Sequence, residues 1–173
     1  IPHVDREDYA VPVGVNDDGL PVCLSPQGVA GIMLSGVPGS GKTAVARLLL
    51  AAWKQAGADV RIADAKDGGD FAAFGEIVGD DIGAALDLFR SVALEMRTRL
   101  DAGKNEGSSN WWNRDLSTRG PLLVLAVDEA HEYLVKGSTK ERREQATEVE
   151  ELLTTIAKRG RAAGVQRARL RYA

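Results

Sequence analysis

The sequence has one cysteine, two histidines and no long apolar run, and each scarcity removes a class of protein. Cys23 is the only cysteine among 173 residues, which excludes an internal disulfide framework and fits a reducing compartment. His3 and His131 have no second His or Cys at ligand spacing, so we expect no metal cluster. No apolar run approaches the roughly 18–20 residues that a membrane-spanning helix needs.

Charge and composition limit the remaining possibilities. The net charge of −3 argues against a uniformly basic nucleic-acid-binding surface, although residues 158–173 carry six bases and no acid. With 44% hydrophobic residues the chain can bury a core, and its length fits one α/β domain. The first residue is Ile rather than Met, so we expect a piece of a longer protein.

Apolar runs of strand length alternate with amphipathic stretches, which is typical of an α/β fold with a mainly parallel sheet. Residues 11–24 predict a hairpin with a type I′ turn at Asp18-Gly19. Further strands are predicted over 29–35, 60–63 and 122–127, and helices from the glycine-rich turn to Gly57, over 82–100 and over 146–160. We therefore divide the chain into a hairpin lead-in, residues 1–28, and an α/β domain, residues 29–173.

The segment from Gly36 to Thr43, Gly-Val-Pro-Gly-Ser-Gly-Lys-Thr, matches the phosphate-binding loop pattern between a predicted strand and a predicted helix. Glycines let backbone N–H groups converge on phosphate oxygens, and the helix N-terminus adds a favourable dipole. Lys42 is expected to reach the β- and γ-phosphates, and Thr43 to supply a hydroxyl ligand to Mg²⁺. The candidate nucleotide-binding residues are Gly36, Val37, Pro38, Gly39, Ser40, Gly41, Lys42, Thr43 and Ala44.

A second acidic motif follows the apolar run 122–127, where Asp128 and Glu129 end the predicted strand. Because ligands of open α/β sheets bind at the carboxyl edge, both carboxylates should lie beside the phosphate-binding loop. Asp128 is expected to hold Mg²⁺, and Glu129 to orient and polarise the attacking water. This favours hydrolysis, and the absence of an Asn-Lys-x-Asp guanine-binding motif favours ATP over GTP.

Four segments in order resemble the FtsK/SpoIIIE-type DNA translocases, and especially the Tra proteins of actinomycete conjugative plasmids. They are the phosphate-binding loop, Asp64–Phe71 after the second predicted strand, Glu95–Arg99 in the long helix and Ile156–Gly164 after the acidic strand. Asp64 and Lys66 match a motif of that family, but their spacing assigns them no chemical role. The lead-in over 13–22 also resembles the segment before that family's motor.

The resemblance implies a RecA-like P-loop ATPase that forms a homo-hexameric ring and uses ATP and Mg²⁺ to move double-stranded DNA, in plasmid transfer or chromosome segregation. By position it assigns Lys42 and Glu129 as catalytic residues and Thr43 and Asp128 as metal ligands. It also implies a cytoplasmic location, with any membrane anchor outside this sequence.

Three alternatives remain open. Asp128-Glu-Ala-His131 spells the DEAH box of superfamily-2 helicases, although their Ser-Ala-Thr and Gln-x-x-Gly-Arg elements are absent. The related type VII secretion ATPases share the loop and the acidic strand and move proteins. The third alternative is an inactive nucleotide-binding remnant, because the sequence departs from the family at its end.

That departure begins after Gln166, where the family continues with an apolar strand whose glutamine senses the γ-phosphate. Residues 167–173 instead read Arg-Ala-Arg-Leu-Arg-Tyr-Ala. In a RecA-like sheet this strand lies between the loop strand and the acidic strand, so alternate arginines would enter a dry layer. We predict that this strand does not form, which truncates the domain at its C-terminal side. A frameshift near Gln166 would explain the tail, because the adjacent reading frame permits an apolar strand.

Overall fold

A computed structural model describes residues 1–66 and 69–172, with side chains described as far as Ala168. Its strands are β1 (Val11–Val15), β2 (Pro21–Leu24), β3 (Ile32–Gly36), β4 (Asp59–Asp64), β5 (Glu76–Val78), β6 (Leu123–Asp128) and β7 (Val165–Tyr172). Its helices are α1 (Lys42–Gln55), α2 (Ile82–Asn105), α3 (Ala130–Leu134) and α4 (Lys140–Ala163), with a 3-10 helix at Trp111–Asn113. Strands and helices alternate, as the sequence predicts.

Five strands form a parallel sheet in the order β3-β7-β6-β4-β5, and β1 and β2 form a separate antiparallel hairpin. The central strand β6 is apolar from Leu123 to Val127 because both of its faces are covered. Leu123, Leu125 and Val127 pack under α2 and α4. The alternate residues Leu122, Val124 and Ala126 pack against α1 and the N-terminal segment.

Local capping sets where the two long helices start. The Asp81 carboxylate accepts a hydrogen bond from Ala84 N at 2.7 Å at the start of α2. At the start of α4, Thr139 Oγ1 accepts from Arg142 N at 3.1 Å. These side chains satisfy backbone donors that have no partner within the helix. Within the described part of the chain, no helix is long and apolar enough to cross a bilayer.

The prediction that the arginine-rich tail cannot form a strand is wrong. The backbone of β7 fills the predicted position, with Leu125 of β6 opposite Arg167 and Ile32 of β3 opposite Ala168. The prediction assumed that both faces of this strand are dry. Met33 of β3, on the same face as Arg167, is 63% exposed, so this corner of the sheet has no helix over it.

Arg167 shows how a basic side chain fits beside that open corner. Its side chain is only half-buried, and Nη1 donates to Leu153 O of α4 at 3.1 Å. A long aliphatic stem can lie along the layer while its charged end reaches a polar partner. The side chains of Arg169 and Arg171, which the same prediction invoked, lie outside the described residues.

The hairpin forms as predicted, but its turn differs. A type I′ turn needs positive φ at both central residues, and only Gly19 has one, at 78°. Asn16 O instead accepts from Gly19 N at 2.9 Å, and Asn16 Oδ1 accepts from Leu20 N at 2.8 Å. The asparagine side chain therefore organises a longer loop. Cys23, in the second strand of the hairpin, is exposed.

The polar loop before β6 is held by its two tryptophans. Trp111 and Trp112 are buried against each other in an edge-on pair with ring centroids 5.0 Å apart. Trp112 Nε1 also donates to Arg161 O of α4 at 3.0 Å. These residues pack in the core, which leaves them unavailable for stacking on nucleic-acid bases.

Candidate nucleotide-binding site

The sheet brings the glycine-rich loop and the acidic motif to one edge. β3 ends at Gly36, β6 ends at Asp128, and β7 is the single strand between them. All three strands are parallel, so their carboxyl ends share the edge at which open α/β sheets bind ligands. The register also sets Asp64 of β4 directly beside Asp128.

The loop has the backbone conformation that phosphate binding requires. Gly39 and Gly41 adopt left-handed φ values of 79° and 87°, which turn the chain tightly before α1. Residues 36–41 form the turn itself, and Lys42, Thr43 and Ala44 form the first turn of α1. The helix N-terminus therefore directs its unpaired N–H groups to the place where a phosphate would lie.

Lys42 is buried and its ammonium group bridges the loop. Nζ donates to Gly36 O at 2.6 Å and to Val37 O at 3.1 Å. These carbonyls hold the side chain across the mouth of the turn. A surface cavity of about 300 Å³ opens beside it, lined by the loop together with Met33, Leu34 and Val45.

Asp128 is buried at the end of β6, and its Oδ1 accepts from Glu129 N at 2.9 Å. Burial raises the pKa of the Asp128 carboxyl, and the nearby Asp64 and Glu129 carboxylates raise it further. Several acidic groups thus share a desolvated edge, where the charge of Lys66 only partly offsets the rise in the pKa of Asp128. Tyr133 of α3 is buried near this edge, and its hydroxyl donates to Gly79 O at 2.6 Å.

Glu129 is buried and has a partner at each carboxylate oxygen. Lys66 Nζ donates to Oε1 at 2.5 Å, and His131 Nδ1 lies 3.1 Å from Oε2. The Glu129 backbone is left-handed, with φ 47° and ψ 45°, which non-glycine residues rarely adopt. The sequence did not predict this contact of His131.

A family profile described as AAA domain matches residues 28–166 of this sequence. The chain belongs to the AAA domain family. It is therefore a P-loop ATPase domain, and the predicted fold, a mainly parallel P-loop sheet preceded by a hairpin, is confirmed.

Solved structures with this fold include a conjugation coupling protein and a type VII secretion ATPase. The pCW3 conjugation coupling protein TcpA, in a monomer form with ATPγS, is 23% identical with a TM-score of 0.80, over 98% of this chain and 52% of that one. The cytoplasmic domain of the type VII secretion ATPase EccC from Thermomonospora curvata is 22% identical with a TM-score of 0.69, over 98% of this chain and 22% of that one. EssC (ATPases 2 and 3) from Geobacillus thermodenitrificans is 14% identical with a TM-score of 0.71, over 98% of this chain and 34% of that one.

These neighbours agree with the predicted resemblance at the level of the fold. The AAA domain described here spans about half of TcpA and about a third or less of the secretion ATPases. No curated protein matches the chain.

The residues at the edge fit a hydrated Mg²⁺ better than a metal held by protein alone. Among residues 1–66 and 69–172, no three His, Cys, Asp or Glu side chains form a group that could hold a metal ion. Mg²⁺ usually keeps several waters and takes one or two protein oxygens together with substrate phosphates. The Thr43 hydroxyl and the Asp128 carboxylate are oxygens of the kind that Mg²⁺ takes.

The sequence alone assigned no role at this site to Lys66 or His131. Lys66 belongs to an Asp-x-Lys motif after a strand, but its partner Glu129 lies 63 residues away in the sequence. His131 was read only as part of a helicase-like spelling. At the carboxyl end of β7, Tyr172 pairs with Gly36 of the loop.

Proposed function

We propose that this domain binds and hydrolyses Mg²⁺-bound ATP and that it powers the movement of double-stranded DNA as one subunit of a hexameric ring. The observation that carries the catalytic part is the meeting of the loop and Asp128-Glu129 at one sheet edge, with β7 between them. In this proposal residues 1–28 are the lead-in, residues 29–173 are the motor, and the domain works in the cytoplasm.

Phosphate binding falls to the loop. The N–H groups of residues 36–44 surround the phosphate position, and Lys42 Nζ would exchange its two carbonyl partners for β- and γ-phosphate oxygens. Thr43 and Asp128 would hold Mg²⁺, which when bound neutralises charge on the phosphate oxygens. Gly36, Val37, Pro38, Gly39, Ser40, Gly41 and Ala44 complete the binding set.

Glu129 is the candidate general base. Its carboxylate would accept a proton from the water whose oxygen attacks the γ-phosphorus, while the bond from that phosphorus to the bridging oxygen of ADP breaks. Burial places this carboxylate in a region of low dielectric, where its interaction with the water is strong.

Double-stranded DNA is the proposed cargo because TcpA, a conjugation coupling protein, superposes with a higher TM-score than the secretion ATPases. A polypeptide cargo is the second candidate, supported by an EccC structure that contains a signal sequence peptide and covers 99% of this chain. The inactive remnant rested in part on a missing strand, and β7 supplies that strand.

The catalytic proposal is tested by nucleotide binding and phosphate release measured on the same purified chain. Lys42→Ala is expected to weaken ATP binding by at least about 10-fold. Glu129→Gln should keep binding and lower turnover by roughly 100- to 1,000-fold. Lys54→Ala is the matched control, since Lys54 lies on the same helix and donates to Ala73 O, away from the loop. Equal behaviour of Lys42→Ala and Lys54→Ala would overturn the proposal.

The cargo is tested by stimulation of the same turnover. We expect double-stranded DNA to stimulate phosphate release and a type VII signal sequence peptide to leave it unchanged. Stimulation by the peptide alone would favour the second candidate.

A further inference from the structure

Two segments of the sequence carry opposite charge. Residues 1–28 contain five acids and a single arginine, whereas residues 158–173 contain six bases and no acid. In the structure, part of each set lies on an exposed surface. We call residues 15–22 the hairpin tip, and the exposed bases of the last turns of α4, Lys158, Arg159 and Arg161, the basic end of α4.

The hairpin is fixed at its base and projects at its tip. At the base the first residue of β1 is buried, and Trp53 Nε1 of α1 donates to Tyr9 O at 2.9 Å. Exposure rises along both strands toward the tip, where Val15 is 71%, Leu20 61% and Val22 45% exposed. A two-stranded hairpin alone is only marginally stable in water. Three exposed aliphatic side chains on one projecting tip therefore favour a partner that covers them.

The hairpin tip is also acidic. Asp17 and Asp18 lie in its turn and are exposed, and Asn16 Oδ1 accepts from Asp18 N at 3.1 Å, which orders the backbone there. Among residues 1–66 and 69–172, neither carboxylate forms a salt bridge. The tip thus presents negative charge beside apolar side chains.

The basic end of α4 has the opposite charge. Lys158 and Arg159 are exposed, and neither forms a salt bridge within the part of the chain that the structure describes. Asp101 of α2 lies near Arg159, but its carboxylate is already paired with Lys104 Nζ at 2.7 Å. Long basic side chains can pack their aliphatic stems on apolar groups while their charged ends meet carboxylates. This surface therefore complements the tip in both respects.

The two surfaces belong to opposite faces of the sheet. The base of the hairpin packs on the α1 face through Leu24, whereas α4 packs on the other face through Ile156. Arg161 Nη1 contacts the lead-in at Gly28 O, 3.5 Å away, which lies beyond β2 and not at the tip. A contact between the tip and the basic end therefore requires two copies. Because it joins two different surfaces, it runs head to tail and closes into a ring where the rotation between copies permits.

We propose that the hairpin tip of one copy docks on the basic end of α4 of a second copy. Asp17 and Asp18 meet the bases, and the aliphatic side chains of the tip pack on the stems of those bases. The inference rests on the ring of the proposed function, whose subunit contact it identifies, and it does not depend on the catalytic part. Opposite charges steer the two surfaces together, and like charges disfavour pairing of tip with tip.

Charge reversal with complementation tests this contact in the full chain. Asp17→Lys together with Asp18→Lys makes the tip basic, and Lys158→Glu together with Arg159→Glu makes the end of α4 acidic. In sedimentation velocity at low salt, each double variant alone should raise the dissociation constant for self-association at least about 10-fold. An equal mixture of the two should recover the original association, because every tip then finds an end of opposite charge. ATP affinity should stay unchanged in both.

The matched control is Glu144→Lys together with Glu151→Lys, two exposed positions on α4 whose reversal changes the net charge by the same amount as that of the tip. This control should associate like the original chain. Association that neither reversal weakens, or that the mixture does not recover, would overturn the inference. If reversal of the basic end lowers affinity for double-stranded DNA and leaves self-association unchanged, that surface binds nucleic acid and the inference also fails.

The size of the particles separates this contact from the proposed ring. Recovery in the mixture that stops at dimers would keep the contact and remove the ring. An original chain that stays monomeric at every concentration would remove both, whereas ATP binding and turnover would still test the catalytic proposal by themselves.

Discussion

Arg119 and Glu129 are both buried ionic side chains, and the protein surrounds them with different kinds of partner. The Arg119 guanidinium donates to Arg6 O, to Glu7 O at 3.1 Å and to Trp112 O at 3.3 Å. Its Cζ also lies 4.4 Å from the centroid of the Trp111 ring. Glu129 is instead held by two side chains, each more than half exposed.

The difference separates a structural contact from a site that can rearrange. Backbone carbonyls and packed indole rings cannot change partners without moving the main chain, so Arg119 fixes the N-terminal segment to the loop before β6. Lysine and histidine side chains at the surface can change rotamer within nanoseconds. Buried charge alone therefore does not identify a functional site, and the mobility of its partners is the more useful criterion.

The largest effect on stability is expected at Arg119. Arg119→Leu should lower the free energy of unfolding by about 3 kcal/mol, roughly 6–12 °C in Tm, because several buried carbonyls lose their donor and the contact with both indole rings is lost. Thermal unfolding of the nucleotide-free protein measures this. Arg47→Leu is the control, since Arg47 is exposed and lies 3.8 Å from an exposed Asp70, and it should change stability by less than about 0.5 kcal/mol. A similar loss in both variants would mean that Arg119 does not fix the segment.

The next expected change raises the free energy of unfolding and concerns the acidic edge, which is formed by Asp64, Asp128 and Glu129 at the ends of β4 and β6. Asp128→Asn should stabilise the metal-free protein by about 1–2 kcal/mol, because it removes a buried charge beside Asp64 and supplies an amide donor. The same change should abolish Mg²⁺-dependent hydrolysis. A destabilised Asp128→Asn protein would show that the acidic edge carries no stored repulsion.

The pH dependence of that gain follows from the raised pKa of Asp128. A carboxyl whose pKa is raised in the folded state stabilises that state when it is protonated. This contribution is complete at pH values below the usual aspartate pKa of about 4. Its contribution is lost as the pH rises through the raised pKa. The Tm difference between Asp128→Asn and the original protein should therefore be small at low pH and should increase as the pH rises through that range.

What could be predicted from the sequence is what is encoded locally. The spacing of glycines before Lys42 and the apolar run before Asp128 each lie within one short segment, and the structure places both at the same sheet edge. The start of α2 at Ile82 also depends on neighbouring residues, whereas α4 begins at Lys140, before the predicted range 146–160. Alternation and capping chemistry are enough for such features.

The features that were missed depend on contacts between distant segments. Lys66 and Glu129 are 63 residues apart, and Arg119 meets Glu7 across 112. The error over β7 had the same origin, since it assumed a helix over both faces and the exposure of Met33 depends on the whole layer arrangement. Residue spacing carries no information about which long side chain reaches which partner.

The smallest expected effect concerns a third buried polar side chain, one atom of which has no partner in the part of the chain that the structure describes. Gln166 of β7 is buried beside Val124, and its Nε2 has no hydrogen-bond partner among the described residues. Methionine has a similar length without the amide, so Gln166→Met should raise the free energy of unfolding by about 1 kcal/mol. Gln55→Met, at the exposed end of α1, should change it by less than about 0.5 kcal/mol. If Gln166→Met is destabilising, its amide has an essential acceptor or donor role, and Gln166 would join Arg119 as a structural contact.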